Sequence, residues 1–83
     1  MAKFEVKDGE LYIDGLKVIR AWESINGWYW FAVEEEEEGY FYGFVQGFED
    51  EWGYFHIKEL EPLMKEGYIW EIRKSDIIYA GRR

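Results

Sequence analysis

The chain carries few side chains able to do covalent chemistry. His56 is its only imidazole, cysteine is absent, and Ser24 and Ser75 stand outside any nucleophile motif. A nucleophile needs an adjacent base and a third group to orient that base. A lone strand histidine is a structural residue far more often than a catalyst. Carboxylates are plentiful, with five in a row at Glu34, Glu35, Glu36, Glu37 and Glu38 and three more at Glu49, Asp50 and Glu51. Glu49 and Glu51 could be paired as acid and base, but among 18 acidic residues the pairing has no specificity. The acidic runs lack the alternating Asp/Asn ligands and the glycine of a calcium loop. Zinc would need sets of Cys and His that are missing. No glycine-rich loop leads from a strand into a helix to cradle a phosphate. The residues therefore predict no catalytic group, no metal site and no cofactor.

What remains is charge and aromatic surface. The 83 residues make one domain by length, with a formal net charge of -8 and an aromatic share of 22%. Residues 34–61 hold ten acids against Lys58 alone, a net of -9, so the excess lies wholly in that segment. Such a balance argues against direct nucleic-acid binding, which is driven by Lys and Arg neutralising phosphates. It suits a solvated face that keeps an aromatic-rich chain soluble, or a surface that meets a basic protein. So many aromatics exclude disorder, and without cysteine they must supply the core unaided by crosslinks. No apolar run approaches a membrane span. The start, Met1 to Asp8, alternates charged and apolar residues and lacks a signal-peptide core, which predicts a cytoplasmic protein. Scarce Asn, Gln, Cys and Thr beside abundant Glu, Lys, Ile and Tyr resembles a thermophile's composition.

The elements that must position these groups are mostly strands. Residues 3–7 and 11–13 flank Asp8-Gly9, and Asp14-Gly15 and Asn26-Gly27 follow as further hairpin turns. Strands are predicted over 16–23, 28–33, 40–45, 52–57, 68–73 and 77–80. Glu34 to Gly39 reads as a loop, because adjacent like charges repel. Residues 47–51 read as a polar connection, and residues 81–83 as a frayed tail. The one helix expected, near 58–66, places Leu60, Leu63 and Met64 on one face, with Pro62 near its first turn and Gly67 as its stop. The fold class is mostly β with one short helix: a twisted antiparallel sheet of hairpins, closed as a small barrel or left as a half-open sandwich.

Three central strands are apolar on both faces, whereas a half-exposed antiparallel sheet alternates apolar with polar. By alternation, Phe31, Val33, Phe41, Val45, Phe55 and Ile57 form one face, suited to a core beneath the helix. Trp28, Trp30, Tyr40, Tyr42, Trp52 and Tyr54 form the other. These side chains join an apolar body to a polar tip, which suits an interface. Either the flanking strands bury this face, or it stays open for a partner or a second copy.

The central block also resembles a known family. Trp28-Tyr29-Trp30 running to Glu34, Tyr42-Gly43-Phe44-Val45-Gln46-Gly47, Glu51-Trp52-Gly53-Tyr54-Phe55 leading into Glu59-Leu60, and the closing Glu71 to Tyr79 are similar, in order and spacing, to motifs of domain of unknown function 2958. The resemblance spans residues 27–80. A short hairpin replaces the family's longer amino-terminal part, and the Glu run is more uniform than its acidic loop. That family occurs largely on plasmids, phages and other mobile elements and brings no catalytic residues. It implies a small accessory protein of a mobile element.

Together these readings predict a non-enzymatic, acidic protein-binding module. The six Trp and Tyr residues would supply contact area, and Glu34–Glu38 with Glu49, Asp50 and Glu51 the charge. In its sharper form the acidic surface imitates nucleic acid on a basic host or defence protein. The alternative is a homodimer closed through the aromatic face.

Overall fold

Two Asp-Gly turns fold the first part of the chain into a meander. Asp8 and Gly9 have φ of 54° and 76°, and Asp14 and Gly15 have 51° and 82°. Two left-handed residues in succession give the turn twist that matches paired strands. In the computed structural model, which describes residues 2–80, β1 (Phe4–Lys7), β2 (Glu10–Ile13) and β3 (Leu16–Lys17) form a three-stranded antiparallel sheet. The strand predicted over 16–23 breaks after β3. The Val18 N–H bonds back to Leu11 O at 2.9 Å, while the Ile19 N–H bonds to Ala32 O at 2.8 Å in the next sheet. The chain thus turns a corner between sheets at these two residues.

The second sheet has five strands in the order β7-β6-β5-β4-β8. They are β4 (Arg20–Ser24), β5 (Tyr29–Glu37), β6 (Tyr40–Gln46), β7 (Asp50–His56) and β8 (Ile69–Glu71), all antiparallel to their neighbours. Neither sheet closes on itself, so the fold is the half-open sandwich and not the barrel. The three-stranded sheet covers one face of the larger sheet, around Leu11, Ile13, Phe31, Phe44 and Ile77. Helix α1 (Ile57–Lys65) covers the other, around Trp22, Phe41, Phe55, Leu60 and Ile69. Trp22 is fully buried there. Arg20 lies across the rings of Trp22 and Phe41, 4.9 and 5.3 Å from their centroids, and makes a two-pronged pair with Glu71 at 2.8 Å on each side.

Helix α1 begins one residue earlier than predicted, because His56 caps it. The His56 ring Nδ1 accepts the Lys58 N–H at 3.1 Å, and Glu59 accepts the His56 N–H at 3.2 Å. Such reciprocal capping satisfies two otherwise orphaned donors. The helix stops where expected. Gly67 has φ 83°, its N–H reaches Met64 O, and the Tyr68 N–H reaches Leu63 O. This is the left-handed closure that favours glycine. Pro62 sits inside the helix and not in its first turn, so position 62 offers no N–H to the Lys58 carbonyl.

Three further expectations are corrected. Glu34 to Glu37 are strand, the end of β5, and not a loop. An extended chain sends neighbours to opposite faces, and register shifts between Ala32 and Glu34 and between Glu35 and Glu37 splay the strand so that each carboxylate reaches water. Asp50 and Glu51 likewise belong to β7 and not to the connection before it. The segment 77–80 is a helical turn, α2 (Ile77–Ala80), entered through a 3₁₀ turn at Lys74–Asp76. Ile77 and Ala80, three apart, are buried together while Tyr79 faces out, a helical spacing that strand alternation would not allow. The predicted tail at 81–83 lies outside the described residues.

Candidate protein-binding site

The bulge at Val33 decides where the aromatics go. Beyond it Glu34 pairs with Tyr42; before it Phe31 pairs with Phe44 and Trp30 with Val45. One inserted residue moves every earlier side chain of β5 to the opposite face relative to β6. The single six-residue aromatic face is therefore corrected to two surfaces. Tyr40, Tyr42, Trp52 and Tyr54 share the face of Phe31 and Phe44, on the side of the three-stranded sheet. Trp28 packs against Trp30, which belongs to the helix side with Phe41, Val45 and Phe55. Correspondingly, Phe31 and Val33 leave the core beneath the helix for the other layer.

The first surface is a tyrosine stack edged with carboxylates. Tyr40 and Tyr54 stack at 5.3 Å, and Tyr42 lies 5.0 Å from Tyr54 and 5.7 Å from Trp52. Tyr54 is 57% exposed; its three neighbours are half-buried. Glu34 and Glu36 face these rings. The Glu34 charge, with lesser help from desolvation, a hydrogen bond to Glu34 and the Glu37 charge, pushes the Glu36 carboxyl above the ordinary glutamate value. Glu36 in turn raises the Tyr54 phenol, ahead of desolvation and the neighbouring tyrosines. The largest cause of each shift is a neighbouring glutamate charge. Glu35 points elsewhere: it accepts the Gly39 N–H at 2.8 Å.

The second surface centres on Trp28 and Trp30, half-buried and 5.9 Å apart. The Trp28 ring lies over Gly47, and Phe48 meets it edge-on at 5.1 Å and 81°. Phe48 is 95% exposed. A groove of about 500 Å³ runs along this wall, lined by both tryptophans, Val45, Phe48, Glu49, Glu51 and Glu59 among others. A second, of about 390 Å³, runs along its other side past Ile25, Leu63 and Tyr68. Asp50 pairs with Gln46, one step from Glu51, and so leaves the first groove to Glu49 and Glu51.

The acids thus divide into two groups, each beside aromatics. Among the described residues, none of Glu34, Glu36, Glu37, Glu38, Glu49, Asp50 or Glu51 forms an ion pair. Phe48, Ile25 and Tyr68 escape a sequence reading built on strand alternation because they lie in turns, and Leu63, expected on one helix face with Leu60 and Met64, is exposed while Leu60 is buried. The signal for Phe48 was a large aromatic between Gly47 and three acids, in a connection where polar residues are the rule. His56, the one imidazole, has its Nδ1 engaged by the Lys58 N–H. Among the described residues no group of three or more His, Cys, Asp or Glu is placed to hold a metal ion, and no helix is long and apolar enough to cross a membrane.

No protein family, no curated protein and no solved structure matches the chain. The resemblance to domain of unknown function 2958 rests on motif order and spacing alone.

Proposed function

We propose that this chain is a non-enzymatic, acidic protein-binding module acting in the cytoplasm, an accessory protein of mobile-element derivation. Its partner is a protein with a basic surface, and in the sharper form of the reading it occupies a site where that partner would hold nucleic acid. One observation supports this above the others. On both surfaces, aromatic rings lie beside carboxylates that lack ion-pair partners among the described residues. Rings supply desolvated contact area, while unpaired charge speeds encounter and selects a cationic partner. The resemblance supports the mobile-element origin by analogy only. Binding of basic nucleic-acid-binding proteins that salt releases, and that duplex DNA displaces, is the expected outcome of a capture experiment from host lysate. No retained protein at low salt contradicts it.

Self-association through the tyrosine face is the second reading. It is favoured by β7 being an edge strand with Tyr54 exposed on it. A two-fold contact there would also gather two copies of Glu34 and Glu36 in one interface, which costs energy unless they are protonated. Sedimentation separates the readings: a concentration-independent monomer at neutral pH removes the second.

A further inference from the structure

We propose that the groove beside Trp28, Trp30 and Phe48 takes an arginine side chain from a segment of the partner. The inference rests on the partner being a basic protein and adds where and by what chemistry it is held.

Three features select the occupant. First, Phe48 is held almost wholly in water against Trp28, next to a second indole. An apolar ring in that position gains on being covered, by up to about 2 kcal/mol. Second, Glu49, Glu51 and Glu59 line the same groove, and no Lys, Arg or His does. Glu59 already accepts the His56 N–H, so Glu49 and Glu51 are the free acceptors. An apolar occupant would strip water from both carboxylates and return nothing; a cation replaces the lost hydration. Third, two indoles line the groove, and a flat cation binds to aromatic faces. A guanidinium is planar and weakly hydrated, so it stacks on such faces while its edge N–H groups reach carboxylates in two-pronged fashion. A lysine ammonium is a strongly hydrated point charge and does both less well.

The test is a titration of the isotope-labelled protein, at low ionic strength, with a heptapeptide of alternating glycine and arginine. Its lysine and citrulline counterparts serve as comparisons. The indole N–H signals of Trp28 and Trp30 are expected to shift with the arginine peptide. Lysine should weaken binding roughly fivefold, as should Phe48→Ala or the double change Glu49→Gln and Glu51→Gln, and citrulline should abolish the response. Phe48 is exposed, so its truncation leaves the core intact. Shifts confined to Tyr40 and Tyr42, which lie outside the groove, an equal response to lysine, or no shift at all would each overturn the assignment. Retention of basic proteins by the Phe48→Ala variant at the wild-type level would sink the groove while the wider reading stands. Failure of the wild-type chain to retain any sinks that reading itself.

Discussion

Trp28 occupies the space that a side chain at Gly47 would need. A Cβ built on Gly47 would stand 2.6 Å from Cζ3 of the indole, with two more ring carbons inside 3 Å. The glycine therefore acts as the bed on which Trp28 lies, and Trp28 in turn carries Phe48 at its edge. Gly47→Ala is expected to lift the ring and open the groove at a modest stability cost, about 1–2 kcal/mol. A changed indole shift for Trp28 with an otherwise preserved spectrum is the expected readout.

Gly43 faces a stricter constraint. A Cβ there would meet the Phe31 carbonyl oxygen at 1.9 Å and Ala32 Cα at 2.9 Å, in the middle of the sheet and beside the Val33 bulge. Backbone cannot swing aside as an indole can. Gly43→Ala should cost about 3 kcal/mol or more, read as a fall in the urea midpoint. A loss as small as that of Gly47→Ala would mean that β5 and β6 can separate locally.

Arg20 makes a different kind of prediction. Its pair with Glu71 is partly solvent-exposed, and such pairs contribute at most about 1 kcal/mol. The guanidinium also covers Trp22 and Phe41. Glu71→Gln should therefore cost less than Arg20→Ala, for which about 1–2 kcal/mol is expected. Arg20→Lys should fall between them, because a lysine neither forks nor stacks. Equal losses for Glu71→Gln and Arg20→Ala in urea denaturation would show that the ion pair alone matters.

Glu36 titrates against its neighbours. Held above the ordinary glutamate value chiefly by Glu34, it binds its proton more tightly folded than unfolded. The folded state thus holds more protons through the carboxylate range, and this site's contribution to stability falls as pH rises through it. Glu34→Gln should bring the Glu36 midpoint down toward the ordinary value, and Glu36→Gln should lower the Tyr54 midpoint, since Glu36 is the largest cause of its rise. Carboxyl carbon shifts followed by NMR measure the first, and the Tyr54 ring-carbon shifts followed at alkaline pH measure the second. An unmoved Glu36 midpoint would contradict the coupling.

Local chemistry made much of this fold legible. Asp8-Gly9 and Asp14-Gly15 announce turns because only a few residues tolerate left-handed backbone, and Gly67 ends its helix for the same reason. The Asn26-Gly27 turn was legible as a hairpin but not in detail. Gly27 alone is left-handed, and its N–H closes back on Ser24 O. The faces of the central strands were not legible, because they hang on a bulge at Val33 that no residue there demands. Side-chain period in a strand is two, so one unpaired residue exchanged Trp30 with Phe31. The Glu run misled for a related reason. Repulsion between neighbours is real, but β6 supplies a paired ladder and Glu34 to Glu38 are all exposed to water. Ile77 to Ala80 reads as strand because four residues are too few for a period to declare itself.

Acids without ion-pair partners beside aromatic rings are proposed to hold a basic protein. The most direct measurement compares retention from host lysate, across a salt gradient, by the wild-type chain and by a variant carrying Glu34→Gln, Glu36→Gln, Glu49→Gln and Glu51→Gln. Basic nucleic-acid-binding proteins held by the wild type at low salt, released as salt rises and lost from the variant, are the predicted result. Retention that ignores both salt and the four substitutions, or no retention by either chain, would contradict it.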